Sequence, residues 1–108
     1  MVGRDAFIAT YILTNGTRGT LYTGVTSLLL NRVQQHRDKV FEGFTKRYGL
    51  ARLVWYQTHD LMTEAIKQEK TIKGWPRQWK INLIERDNPH WDDLYDQMIN
   101  WTPMPRQI

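Results

Sequence analysis

The sequence predicts an α+β domain: a small three-stranded antiparallel or mixed sheet packed with helices, in the order β-β-α-β-α-α-α. Two β-branched and aromatic stretches near the N-terminus flank an Asn-Gly turn. A third such stretch stands alone in mid-chain. The second half carries apolar residues at helical spacing, punctuated by glycine and proline.

Residues 6–14 (AFIATYILT) lack breakers and read as a strand. Asn15-Gly16-Thr17-Arg18-Gly19 is a turn, because Asn and Gly accept positive φ. Residues 20–25 (TLYTGV) complete an antiparallel hairpin. Alternation puts Phe7, Ala9, Tyr11 and Leu13 on one face, and Tyr22 and Gly24 together on the second strand. The two phenols share a side of the sheet if the register allows it. Thr26 or Ser27 can cap the next helix by accepting from its first N–H groups. That helix runs to about Asp38, with Leu29, Leu30 and Val33 as its apolar stripe and Arg32 and His36 one turn apart. Residues 39–50 form a loop. Residues 51–58 (ARLVWYQT) make the third strand, whose run Leu53-Val54-Trp55-Tyr56 suggests cover on both faces. Asp60 is a good N-cap and Gly74 a good stop for a helix over 61–73. Pro76 suits the first turn of another, roughly 76–86, which packs Trp79, Leu83 and Ile84. Asn88-Pro89 breaks the chain. Trp91, Leu94, Tyr95, Met98 and Ile99 then fall at the spacing of a last short helix. Residues 1–101 are expected to form one domain and 102–108 a loose tail.

A chain of 108 residues can bury about two-thirds of its unfolded surface around one core. It has no cysteine, which excludes disulfides, thiol catalysis and cysteine-based zinc sites. No stretch reads as a membrane span and no signal pattern opens the chain, so a cytoplasmic location without membrane attachment is expected. The net charge of +4 is compatible with a polyanionic partner.

Glu69 is the first candidate for chemistry. It falls between Ile66 and Ile72 on the apolar stripe of its helix, with Met62 and Ala65. An ionised carboxylate there must pair with a cation or coordinate a metal. A glutamate at the stripe's edge, bonded to a lysine or arginine, satisfies the same pattern. Arg32 reads either as a solvated helix residue or as a phosphate clamp through paired guanidinium hydrogen bonds. Tyr11 and Tyr22 are either core strand aromatics or a pair of phenols serving a site. His36 is either a packed histidine or a proton carrier. His59 and His90 have no partners at metal-ligand spacing. In the loop, Lys39, Lys46 and Arg47 beside Phe44 and Tyr48 suit phosphate contact with base stacking, or a solvated loop with two anchors. Lys67, Lys70 and Lys73 read as an ordinary wet helix face. Trp91, Tyr95 and Trp101 would form a protein-binding surface if exposed.

The ordered set of these residues resembles the GIY-YIG nuclease superfamily. The likeness is strongest to its small stand-alone members, which are similar to the N-terminal domain of excinuclease C. The two signatures stand here as Thr10-Tyr11-Ile12 and Tyr22-Thr23-Gly24. Arg32 and His36 follow, then Phe44-Thr45, Tyr48-Gly49-Leu50, the strand Leu53 to Tyr56, and Glu64-Ala65-Ile66-Lys67-Gln68-Glu69-Lys70. Lys73-Gly74-Trp75, Trp79-Lys80, Leu83-Ile84 and Asn88-Pro89-His90-Trp91-Asp92-Asp93-Leu94 complete the likeness, which covers roughly residues 7–95. Thr10 and Thr23 replace the first glycine and the second isoleucine of the family name, and neither change removes a functional group. Val25 stands where some relatives carry a lysine, which removes one phosphate contact.

The resemblance implies Mg²⁺- or Mn²⁺-dependent hydrolysis of phosphodiesters, with nucleic acid, foremost DNA, as partner and DNA repair as the setting. A structure-selective or weakly specific endonuclease is expected. The alternative is a non-catalytic nucleic-acid-binding module of the same fold. Glu69 is the implied metal ligand and Tyr22 the residue that helps deprotonate the attacking water. A phenol with the ordinary pKa of about 10 is a poor base at neutral pH, so that role calls for positive charge nearby, from Arg32 and the metal. Arg32 also meets the transition-state phosphate. Tyr11 orients the water or Tyr22, and His36 holds the network or passes a proton. The late asparagine of the family is assigned to Asn88 rather than Asn82. Lys46, Arg47 and Tyr48 are the implied nucleic-acid contacts.

Overall fold

The stretch around Tyr11 becomes the central strand of a three-stranded sheet in a computed structural model that describes residues 7–38 and 49–100. Strand β1 (Ala9–Thr14) pairs antiparallel with β2 (Leu21–Thr26) on one side and β3 (Arg52–Thr58) on the other. The order is therefore β2-β1-β3, the wholly antiparallel form of the expected sheet. Helix α1 (Leu29–Arg37) follows the hairpin; α2 (Met62–Lys73), α3 (Arg77–Asp87) and α4 (Leu94–Asn100) follow β3.

All six residues of β1 are buried, because helices cover both faces of the sheet. Ala9, Tyr11 and Leu13 point into one core with Leu29 and Val33 of α1, Leu53 and Tyr95. Ile12 points into the other with Val54, Trp55, Ile72, Ile81, Ile84 and Trp91. Each such large side chain contributes roughly 1.5–3 kcal/mol on burial. The double cover foreseen for β3 takes a specific form. Ile12 pairs with Trp55 and Leu13 with Leu53, so Val54 is the extra residue of a bulge. The bulge puts Val54 and Trp55 in the same core while Leu53 serves the opposite one. Thr10 Oγ1 donates to the Ala65 carbonyl at 2.8 Å and fixes α2 across β1.

Several local expectations need correction. In the hairpin turn the non-glycine residue with positive φ is Arg18, at 53°, rather than Asn15. Asn15 acts through its side chain, whose Oδ1 accepts from the Thr20 amide at 3.1 Å. Arg18 is held by a paired hydrogen bond to Glu85 of α3. Neither Thr26 nor Ser27 caps α1. Thr26 Oγ1 accepts from the Leu28 amide, ahead of the helix, and the Phe7 carbonyl takes the Leu29 amide. Asp60 does not cap α2, whose N-cap position is Leu61. Asp93 does cap α4, accepting from the Tyr95 amide at 3.1 Å while also binding the Leu53 amide and the Arg37 guanidinium. Trp91 precedes the last helix with φ of 59°, and it is buried, as is Tyr95. Those two therefore form no exposed docking surface; Trp101 lies outside the described residues. No helix among the described residues is long and apolar enough to cross a membrane.

Candidate active site

Register brings the two phenols together. Tyr11 pairs with Gly24, and its neighbour on the same face, Leu13, pairs with Tyr22. The Tyr11 and Tyr22 rings thus sit 6.3 Å apart at 47°. Gly24 is required by this arrangement: a Cβ there would lie 2.6 Å from both Cζ and the hydroxyl of Tyr11. The Tyr11 ring crosses β2 where no side chain stands.

Helix α1 lays the third ring over the pair. His36 is 5.6 Å from the Tyr22 ring and 6.1 Å from the Tyr11 ring, centroid to centroid. The Tyr11 hydroxyl and His36 Nε2 are 3.3 Å apart and share a hydrogen bond. Burial pushes the Tyr11 phenol up, and the neighbouring Tyr22 adds to the rise. Burial also pushes the His36 imidazole down to about 4, with Arg32 contributing in the same direction. Both groups are therefore neutral near pH 7. The phenol then donates to Nε2, which leaves the imidazole proton on Nδ1. A histidine in this state is an acceptor that holds Tyr11 in place rather than a resting acid.

Arg32 sits one turn before His36 and is partly exposed. Its charge acts on both the Tyr11 hydroxyl and the His36 ring. Tyr22 is also partly exposed, so the cluster opens to solvent on the side of these two residues.

Glu69 arrives from α2, which packs on β1 and β2. Its buried neighbours on the helix are Ala65 and Ile72, while Met62 and Ile66 of the expected stripe are half-buried. Its charge reaches the Tyr11 hydroxyl and opposes ionisation there. The Glu69 side chain is only 11% exposed, and its Oε2 lies 2.5 Å from Nζ of Lys73, whose side chain is 51% exposed. That same ammonium stands 6.0 Å from the centroid of the Tyr22 ring. The carboxylate thus has its counter-charge on the solvent side rather than inside the core. Lys73, assigned by spacing to a wet face, is the residue that sequence reasoning missed. Its i,i+4 relation to Glu69 was the available signal.

Tyr11, Tyr22, His36, Arg32 and Glu69 therefore share one neighbourhood. Asn88 does not join it. Its amide donates to the carbonyls of Val54 and Asp92 and accepts from the Asp92 amide. These bonds tie the end of α3 to β3, which makes Asn88 a structural joint rather than a group beside the phenols. Lys46, Arg47 and Tyr48 lie outside the described residues.

Among the described residues, no group of three or more His, Cys, Asp or Glu side chains gathers around a point. The donor set at Glu69 is one oxyanion with access to solvent. That suits magnesium or manganese, which retain waters and complete their shell with substrate phosphate. It also already accommodates a cation, the Lys73 ammonium.

The profile of the GIY-YIG catalytic domain matches residues 7–82. A UPF0213 protein of Staphylococcus epidermidis is 34% identical over 67 residues, which covers 62% of this chain and 82% of that protein. A UPF0213 protein of Staphylococcus aureus matches with the same identity and coverage. The solution NMR structure of a UPF0213 protein from Bacillus halodurans superposes with a TM-score of 0.51 at 24% identity, covering 88% of this chain and 98% of that one, which shows a shared fold. The chain belongs to the GIY-YIG catalytic domain family, a family of nucleases.

Proposed function

We propose that this protein is a Mg²⁺- or Mn²⁺-dependent DNA endonuclease, structure-selective or weakly specific, and that Tyr11, Tyr22, Arg32, His36 and Glu69 carry the reaction. The support is a continuous series of contacts from an acid to a cation and three rings. Glu69 meets Lys73, Lys73 faces Tyr22, and Tyr22 packs on Tyr11 and His36. A core with no chemistry to perform has no use for a largely buried carboxylate beside two phenols.

Each group has a distinct task. Arg32 grips a phosphate oxygen and offsets charge in the pentacoordinate transition state. Tyr22, at the open side, acts as its phenolate and takes a proton from the attacking water, directly or through a second water, becoming the neutral phenol. Tyr11 stays a neutral phenol and, held by His36, fixes the position of Tyr22. Glu69 holds the divalent cation, which when bound supplies Lewis-acid stabilisation of the departing 3′-oxygen. Lys46, Arg47 and Tyr48 would add further nucleic-acid contacts.

A second reading has one observation in its favour. The Glu69–Lys73 pair satisfies the carboxylate without any metal. On that reading the protein binds nucleic acid and cuts nothing. Incubation with supercoiled plasmid and with branched DNA in Mg²⁺ or Mn²⁺ separates the two. Wild type is expected to cut, Glu69→Gln to lose cleavage, and Tyr22→Phe to fall by about 10²–10⁴-fold, the usual worth of a general base. Tight binding with no cleavage of either DNA, or equal cutting by all three proteins, overturns the endonuclease.

A further inference from the structure

Lys73 has no role in the reaction described so far, yet its ammonium touches the proposed metal ligand and faces the proposed base. An i,i+4 Glu-Lys pair on a helix normally has both ends in water and contributes only a few tenths of a kcal/mol. This pair is lopsided: the carboxylate is 11% exposed and the lysine 51%. Lys67 and Lys70 of the same helix are exposed. Lys73 has its Nζ 2.5 Å from Glu69 Oε2 and 6.0 Å from the Tyr22 ring centroid.

Resting on the metal-ligand reading of Glu69, we propose that Lys73 is an exchangeable counter-ion of the site. Its ammonium neutralises Glu69 while no divalent cation is bound, then swings on its flexible stem to a DNA phosphate beside Tyr22 once Glu69 takes a cation. Two features of the geometry support this. An ammonium 2.5 Å from Oε2 repels a divalent cation approaching the same carboxylate, so Lys73 competes electrostatically with the ion for Glu69. A half-exposed lysine carries several rotatable bonds and three donors, so release from Glu69 leaves it facing the open side where Arg32 and Tyr22 are also partly exposed. The pair would keep a buried negative charge from repelling DNA before the cation arrives.

The test combines two binding measurements on the full chain as wild type, Lys73→Met, Lys73→Arg and Glu69→Gln. Mn²⁺ affinity without DNA is read by electron paramagnetic resonance of unbound Mn²⁺. Affinity for a branched DNA in Ca²⁺ is read by fluorescence anisotropy across a salt series. Lys73→Met should bind Mn²⁺ about fivefold more tightly, the factor set by loss of one competing ion pair. Its log–log salt slope should shrink by about 0.9, the share of one phosphate contact, and Lys73→Arg should restore the slope. Unchanged or weaker Mn²⁺ binding in Lys73→Met, or an unchanged salt slope, overturns the proposal. A purely structural pair would give that result together with a lowered melting temperature. If Glu69→Gln binds Mn²⁺ as wild type does, the metal-ligand reading itself fails, and the exchange falls with it.

Discussion

At the residue scale, His36 carries the most specific prediction. Its folded-state pKa of about 4 lies below the ordinary 6.5, because the imidazole is buried and Arg32 is near. The unfolded chain therefore binds the proton more readily. Stability contributed by neutral His36 is complete above pH 6.5 and is lost as pH falls towards 4. Thermal melts across that window should show a loss on the order of 1 kcal/mol for wild type. His36→Gln, which keeps an acceptor for Tyr11 without titrating, should flatten the profile; an equally steep profile in the variant would assign the acid sensitivity to other groups. Gly24 offers a steric counterpart. A methyl there meets the Tyr11 ring end at 2.6 Å, and Tyr11 is buried, so the ring can give way only at a cost in packing. Gly24→Ala should cost about 1–3 kcal/mol, as overpacking does, and displace Tyr11 from His36. A melting temperature within a degree of wild type would contradict it.

At the element scale, the pattern that exposed Glu69 was legible because an acid in an apolar stripe has a cost that must be met somewhere. The strands were legible for a similar reason: β-branched and aromatic runs bounded by Asn, Gly and Pro leave few alternatives. What could not be read were features set by tertiary contact. Thr26 and Asp60 are good capping types, yet Phe7 and the approach of the chain to the sheet decide how α1 and α2 begin. Trp91 has helical spacing to Leu94 and Tyr95, but the turn made by Asn88 places it ahead of the helix in a left-handed conformation, its indole donating to Glu85 at 2.7 Å. Lys73 was assigned by its own position, whereas its long stem brings the charge back over the sheet. Asn88 is a motif position with a structural task that its spacing does not reveal. With its amide bonded to Val54 and Asp92, Asn88→Ala should lower stability by about 1–3 kcal/mol, the cost of stranding buried polar groups, as measured by urea denaturation. A variant as stable as wild type would leave Asn88 available for a direct part in the reaction.

At the scale of the whole molecule, the sheet lies between the two groups of proposed site residues. The hairpin and α1 assemble rings and a guanidinium on one side; α2 crosses β1 and β2 and brings the acid from the other. Neither half suffices for the proposed hydrolysis. DNA binding by Arg32, Lys46 and Arg47 should weaken steeply with salt through counterion release, with a slope of about −0.9 per phosphate contacted; a flat response in anisotropy titrations would argue against DNA as the partner. The central claim is that Glu69 holds a catalytic divalent ion beside a phosphate gripped near Tyr22 and Arg32. Diffraction at the manganese edge from crystals of the protein with an uncleaved DNA and Mn²⁺ tests it most directly. An anomalous peak is expected within about 2.2 Å of a Glu69 oxygen, the usual length of a hard-cation contact, with a DNA phosphate on its far side and Lys73 withdrawn. DNA seated in the site with no manganese there and the Glu69–Lys73 pair intact would contradict it.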